Sequence, residues 1–138
     1  MPAPVLLCVD DRPELLRLRK ASLEALGYTV LNANSTHSAV AMLKDTAVAA
    51  VLLEYKLEGM DAEAVAYHIK QRFPNVPIIL LSAFSDMSER ILWLVDEYVM
   101  RSEAAEQLPE IIERVIRHAD RFPPRSERTA RAPGQAAS

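Results

Sequence analysis

Short apolar runs alternate with longer amphipathic segments along most of the chain, five of each. The first, third and fourth runs are continuously hydrophobic, as is typical of parallel strands that helices cover on both faces. Strands and helices alternating at these lengths predict an α/β protein with a doubly wound parallel sheet. The predicted strands are Val5–Val9, Tyr28–Leu31, Val48–Leu53, Pro77–Ser82 and Tyr98–Met100.

Helix signals fill the segments between these strands. Pro13 near the start and Gly27 just past the end frame a first helix. Ser35, Asp61 and Ser102 are the predicted N-caps of the second, third and last helices. The apolar residues expected to face inward on the first helix are Leu15, Leu16, Leu23 and Leu26.

The alternating pattern ends near residue 121, which predicts one domain over residues 1–121. An apolar content of 50% is enough for a domain of this size to bury a core. Residues 122–138 are rich in Pro, Ala and Arg and carry no apolar period. We expect a disordered, solvated tail there rather than a segment that contacts nucleic acid or a partner.

The net charge of −3 and the single cysteine exclude several classes of protein. So small a negative charge predicts no general attraction to nucleic acid, and one cysteine permits neither an internal disulfide nor a cysteine-cluster metal site. Cys8 lies inside the first apolar run, which predicts a buried thiol. No apolar run approaches the ~20 residues that span a bilayer, so we expect a cytoplasmic protein without membrane contact.

Carboxylates gather where the predicted strands end. Asp10 and Asp11 follow the first strand, and Glu54 ends the third. Helix capping accounts for one acid beside a helix start, but a second acid and a third from another strand exceed that need. Oxygen ligands of this kind suit Mg²⁺, and the carboxyl edge of such a sheet is where ligands bind. The sequence therefore predicts an acidic site at this edge.

Together with Ser82-Ala83 and Tyr98, these acids resemble the receiver domain of two-component response regulators. Receivers carry an acidic pair after strand one, a phosphoacceptor aspartate after strand three and Ser or Thr before Ala after strand four. An aromatic residue on strand five comes three positions before a lysine and a cis-proline. The resemblance covers about residues 4 to 119.

The resemblance implies a flavodoxin-like sheet of five strands in the order 2-1-3-4-5 and a role in phosphorelay signalling. It places Glu54 at the phosphoacceptor position, Arg101 at the lysine position, and Ser82 and Tyr98 at the switch positions. It also implies Mg²⁺ as the cofactor. The implied ligands are the side chains of Asp10, Asp11 and Glu54 and the backbone carbonyl of Lys56.

Three departures from the family pattern change the expected chemistry and local geometry. Glu54 is one methylene longer than aspartate, and a displacement of ~1 Å costs phosphoryl transfer about a hundredfold. Arg101 offers a planar fork that suits a carboxylate better than the lysine it replaces. We therefore predict a salt bridge between Glu54 and Arg101. Because Ser102 replaces the proline, we also predict a trans bond before it.

The segment from Ser82 to Tyr98 is about three residues shorter than in typical receivers, which predicts a short fourth helix. Trp93 on that helix has two interpretations. Core packing is the favoured interpretation, and the alternative is an exposed anchor for a partner.

These observations predict a receiver-like protein that acts by binding proteins, without phosphorylation and without enzymatic activity. The expected partners are a sensor histidine kinase or a downstream target, and a second copy bound through the face of the fourth helix, fifth strand and fifth helix. Mg²⁺ binding is expected to be weak or lost.

The sequence leaves two alternative functions open. One is a conventional Mg²⁺-dependent response regulator phosphorylated on Glu54 or a neighbouring acid. The other is an α/β phosphotransferase or hydrolase with Asp10 as nucleophile, although Arg12 stands where such enzymes carry a second acid.

Overall fold

The computed structural model describes residues 3–83 and 87–119, and the predicted tail at 122–138 lies outside them. Five parallel strands form one sheet in the order β2-β1-β3-β4-β5, which confirms the predicted fold class and strand order. A 3-10 turn over Arg101–Glu103 precedes the last helix. The elements are β1 (Val5–Val9), α1 (Pro13–Ala25), β2 (Thr29–Ala33), α2 (Thr36–Asp45), β3 (Ala50–Glu54), α3 (Ala62–Arg72), β4 (Ile78–Ser82), α4 (Glu89–Leu94), β5 (Glu97–Met100) and α5 (Ala104–Ala119).

Apolar side chains fill both faces of the sheet. Leu6 and Leu52 pack on the side of α1 and α5, whereas Leu7 and Leu53 pack on the side of α2, α3 and α4. Successive strand residues point to opposite faces, so a strand covered on both sides is apolar throughout. Cys8 belongs to this core as predicted, and its burial raises the pKa of the thiol to about 12. In the described part of the chain, each helix is too short or too polar to cross a membrane.

Two of the three predicted N-caps are confirmed. The Ser35 hydroxyl accepts a hydrogen bond from the Ser38 N–H at 3.0 Å, and Asp61 accepts one from the Glu63 N–H at 3.2 Å. The predicted cap at Ser102 is wrong, because this residue lies inside the 3-10 turn that runs directly into α5. The bond before Ser102 is trans, as predicted, since the described residues contain no cis peptide.

Helix ends explain two further corrections. α1 stops at Ala25 and Gly27 adopts a positive φ of 101°, so Leu26 is turned outward instead of facing the core. α4 is short, as predicted, with only six residues, and it buries Ile91. Trp93 lies two positions later, on the opposite side of the helix, and is 58% exposed. The favoured interpretation of Trp93 as core packing is therefore wrong.

A buried ion pair joins α3 to the start of β5. Lys70 Nζ lies 2.7 Å from Asp96 Oδ2 and also donates to the Val76 carbonyl at 2.6 Å. The same Asp96 oxygen accepts the Ile78 N–H at 2.9 Å. Because the charged groups are almost completely out of solvent, each needs the other to offset the cost of burial.

We expect Asp96→Ala to lower the free energy of unfolding by about 3 kcal/mol, since it leaves the Lys70 ammonium buried without its countercharge. Urea unfolding followed by circular dichroism measures this loss. Arg90→Ala is the control, because Arg90 pairs with Glu63 from a largely exposed position and should cost less than about 1 kcal/mol. Equal losses in the two variants would contradict the assigned role of the buried pair.

Candidate functional site

The carboxyl ends of four strands bring most of the predicted site residues together. Asp10 follows β1, Glu54 and Ser82 end β3 and β4, and Arg101 follows β5. The strand register places these ends side by side, with Glu54 opposite Leu81 in β4. Asp10, Glu54 and Ser82 are buried. The site therefore lies at the edge where doubly wound sheets bind their ligands.

The Glu54 carboxylate is fully buried and has protein donors on both oxygens. Oε1 accepts a short hydrogen bond from Arg101 Nη2 and lies 3.3 Å from Arg12 Nη2. Oε2 accepts the Lys56 N–H at 3.2 Å. The predicted salt bridge between Glu54 and Arg101 is confirmed, and Arg12 adds a second cation to it.

Asp10 is buried against the same Arg12 side chain. Asp10 Oδ1 accepts from the Arg12 backbone N–H at 3.0 Å and from Nε at 3.2 Å, while Oδ2 lies 3.5 Å from Nη2. Arg19 Nη1 approaches Asp10 Oδ2 to 3.9 Å. Burial by itself lowers the pKa of Arg12, but its hydrogen bond to Asp10 and the charges of Asp10, Glu54 and Asp11 raise that pKa overall. Arg12 thus remains charged between two carboxylates.

Asp11 points away from these ion pairs. Its Oδ2 accepts the backbone N–H of Glu58 at 2.7 Å and of Gly59 at 2.5 Å, which ties the loop after β3 to the start of α1. Its Oδ1 is buried and has no hydrogen-bond partner. Asp10 therefore takes part in the ion pairs, whereas Asp11 holds the loop after β3.

The family model of the response regulator receiver domain matches residues 6–113. The chain belongs to the response regulator receiver family. Its resemblance to receivers is thereby confirmed, and with it a place in two-component signalling.

Named relatives illustrate the range of proteins that contain similar receivers. The chain is 29% identical over 119 residues to the probable transcriptional regulator ycf27 of Porphyridium aerugineum, covering 84% of the chain and 49% of the relative. It is 30% identical over 118 residues to the sensor protein GacS of Pseudomonas syringae pv. syringae, covering 80% of the chain and 13% of the relative. The chain thus spans about half or less of the length of these curated relatives.

A solved structure supports the same family. The response regulator TrrA of Thermotoga maritima, determined in complex with Mg²⁺ and BeF, is 29% identical with a TM-score of 0.74. The match covers 81% of this chain and 98% of that one.

Most of the carboxylate oxygens that the resemblance implies as Mg²⁺ ligands already have protein partners in this receiver. The ion takes carboxylate oxygens together with water and phosphate oxygens. Here the carboxylates of Asp10 and Glu54 are bonded to guanidinium groups, and one Asp11 oxygen holds backbone N–H groups. Among residues 3–83 and 87–119, no three His, Cys, Asp or Glu side chains are grouped to hold a metal ion.

Arg12 and Arg19 are the site residues that sequence reasoning missed. Arg12 directly follows the acidic pair at the opening of α1, and Arg19 lies about two helical turns further along. An arginine adjoining two acids was a signal for an internal ion pair. The reach of its side chain back to Glu54 depends on the tertiary structure and could not be read from spacing.

The two residues predicted at switch positions differ in exposure. Ser82 is buried at the end of β4, beside the acid cluster. Tyr98 is 45% exposed on β5, on the outer surface of the receiver. Of the predicted site residues, Tyr98 is the one that the structure places away from the pocket.

Arg101 also lines a groove of about 270 Å³ between α1 and α5. Leucine side chains form most of its walls, and the Arg101 side chain is about one third exposed there. The Arg101 side chain therefore joins the buried Glu54 carboxylate to a groove on the surface.

Arg12→Met and Arg101→Met should be strongly non-additive in their effect on stability. Arg101→Met leaves Glu54 paired with Arg12 and should cost about 1 kcal/mol, whereas Arg12→Met also removes the ion-pair partner of the buried Asp10 and should cost about 3 kcal/mol. The double change leaves Glu54 without a cation as well, so its cost should exceed the sum of the two single costs by about 2 kcal/mol. Urea unfolding of the four proteins measures the coupling. In a Glu54→Gln background the coupling should disappear, and additive losses with Glu54 present would contradict the shared ion pair.

Proposed function

We propose that this receiver signals through protein–protein contacts without taking up a phosphoryl group. The observation that carries the proposal is the buried Glu54 carboxylate, which is held by Arg101, Arg12 and the Lys56 N–H. Phosphoryl transfer requires a nucleophilic oxygen in line with the phosphorus, and it depends almost entirely on positioning. Glu54 would have to leave both ion pairs to react.

The ion pair also supplies a contact that resembles the outcome of phosphorylation. In the family a lysine meets the negative charge carried at the end of β3. Here Arg101 meets the carboxylate of Glu54 directly and joins the end of β3 to the turn before α5. We propose that this contact holds the receiver in one signalling state.

Wild-type protein incubated with acetyl phosphate and Mg²⁺ should show no added phosphate by intact-protein mass spectrometry. Glu54→Asp shortens the side chain by one methylene and weakens its contact with Arg101. We therefore expect partial labelling of that variant, detected as added phosphate mass. Glu54→Gln controls for labelling elsewhere and should remain unmodified. A phosphate on the wild type that is lost in Glu54→Gln would overturn the proposal.

The partner surface that we propose is the α4–β5–α5 face. Trp93 of α4 and Tyr98 of β5 are 58% and 45% exposed, and large aromatic side chains contribute strongly to binding at interfaces. The proposed partners are a sensor histidine kinase or a downstream protein, and a second copy of this chain. Cytoplasmic location and the lack of contact with nucleic acid or membrane belong to the same proposal.

If two copies meet through this face, Trp93→Ala should raise the dimer dissociation constant at least about tenfold. Sedimentation equilibrium of the full chain measures that constant. Tyr67→Ala is the matched control, because Tyr67 is a 51% exposed aromatic on α3, outside the proposed face. A chain that stays monomeric at all concentrations would contradict the homodimer, and equal effects of the two variants would contradict the face.

The two alternative functions gain no support from the geometry. A conventional phosphorylatable receiver needs a free acceptor carboxylate, and Glu54 is bonded at both oxygens. A hydrolase needs a nucleophile that its substrate can reach, and Asp10 is completely buried behind Arg12.

A further inference from the structure

We infer that Arg12, with Arg101, supplies from within the chain the positive charge that a divalent cation would otherwise bring to the acid cluster, so that this receiver is indifferent to Mg²⁺. The inference goes beyond the proposed function, because a receiver that is never phosphorylated could still bind the ion. It rests on the position of Arg12 and on the balance of charge around the carboxylates.

The Arg12 head group lies between two carboxylates. Its Nε lies 3.2 Å from Asp10 Oδ1, and its Nη2 lies 3.5 Å from Asp10 Oδ2 and 3.3 Å from Glu54 Oε1. A cation bridging Asp10 and Glu54 would need the space that this guanidinium fills. The planar group presents several donors at once, which suits it to two acids from neighbouring strands.

The Arg12 side chain does not cap the helix that follows it. It occupies the N-cap of α1, where Ser, Thr, Asp or Asn normally accepts a helix N–H, and its side chain makes no such hydrogen bond. Pro13 starts the helix immediately after it. The side chain is instead directed back to Asp10 and Glu54, so the residue serves the acid cluster rather than the helix.

The formal charges balance without an added ion. The cluster contains three carboxylates, those of Asp10, Asp11 and Glu54, and three guanidinium groups, those of Arg12, Arg19 and Arg101. Asp10 and Glu54 are the two acids that form ion pairs with these arginines. A bound cation is held by uncompensated negative charge, and here most of that charge is already neutralised. Asp11 Oδ2 is bonded to the loop N–H groups, which leaves Oδ1 as the one oxygen of Asp11 open to a cation.

Isothermal titration of the full chain with MgCl₂ tests the inference. The wild type should give no saturable heat up to about 10 mM Mg²⁺, a range that covers even weak oxygen-ligand sites. Arg12→Gln removes the charge between the acids and should bind Mg²⁺ at least about tenfold more tightly than Arg17→Gln. Arg17 is the matched control, since it is an exposed arginine on α1 and its loss changes the net charge equally. Arg12→Lys, which restores the charge, should again bind weakly.

Saturable Mg²⁺ binding by the wild type, or equal affinities in Arg12→Gln and Arg17→Gln, would overturn the inference. If Arg12→Gln does not fold, thermal unfolding of the wild type and Arg17→Gln decides the matter. Tm values unchanged by Mg²⁺ would support the inference, and a saturable rise in both would overturn it. Because no phosphodonor is present, wild-type Mg²⁺ binding would leave the proposed lack of phosphorylation standing.

Discussion

A buried carboxylate is tolerated only where cations and hydrogen-bond donors surround it, and the rest of this site is arranged around that requirement at Glu54. Arg101 reaches it from the turn after β5, Arg12 from the start of α1, and the Lys56 N–H from the loop after β3. Three separate segments of the chain are therefore held at one point. The same contacts occupy both oxygens of the carboxylate, which is the basis of the proposal that it takes up no phosphoryl group.

The contacts of the neighbouring acids, Asp10 and Asp11, are linked to those of Glu54. Since Arg12 turns toward Glu54, it also satisfies Asp10, and Arg19 adds a weaker contact from the next part of α1. Asp11 is left to bind the loop after β3. At this edge of the sheet, Asp10 and Glu54 therefore belong to a network of internal ion pairs.

Local signals predicted the sheet and two of the caps. Continuous apolar runs specified strands covered on both faces, and Ser35 and Asp61 bind N–H groups only a few residues away. The failures involve geometry that the sequence does not specify: Ser102 entered a 3-10 turn, and the short α4 turned Trp93 outward. The pairing of Glu54 with Arg101 was predictable because the family resemblance placed both residues in one pocket. The participation of Arg12 was not.

The ion pairs of Glu54 with Arg101 and Arg12 should persist even when Mg²⁺ and a phosphoryl analogue are supplied. A crystal structure of the wild-type chain grown with Mg²⁺ and beryllofluoride tests it most directly, since the Thermotoga maritima relative was solved with these components. The account predicts Glu54 within hydrogen-bonding distance of both guanidinium groups, with neither component in the pocket. Beryllofluoride attached to Glu54, with Mg²⁺ bound and Arg12 displaced, would contradict it.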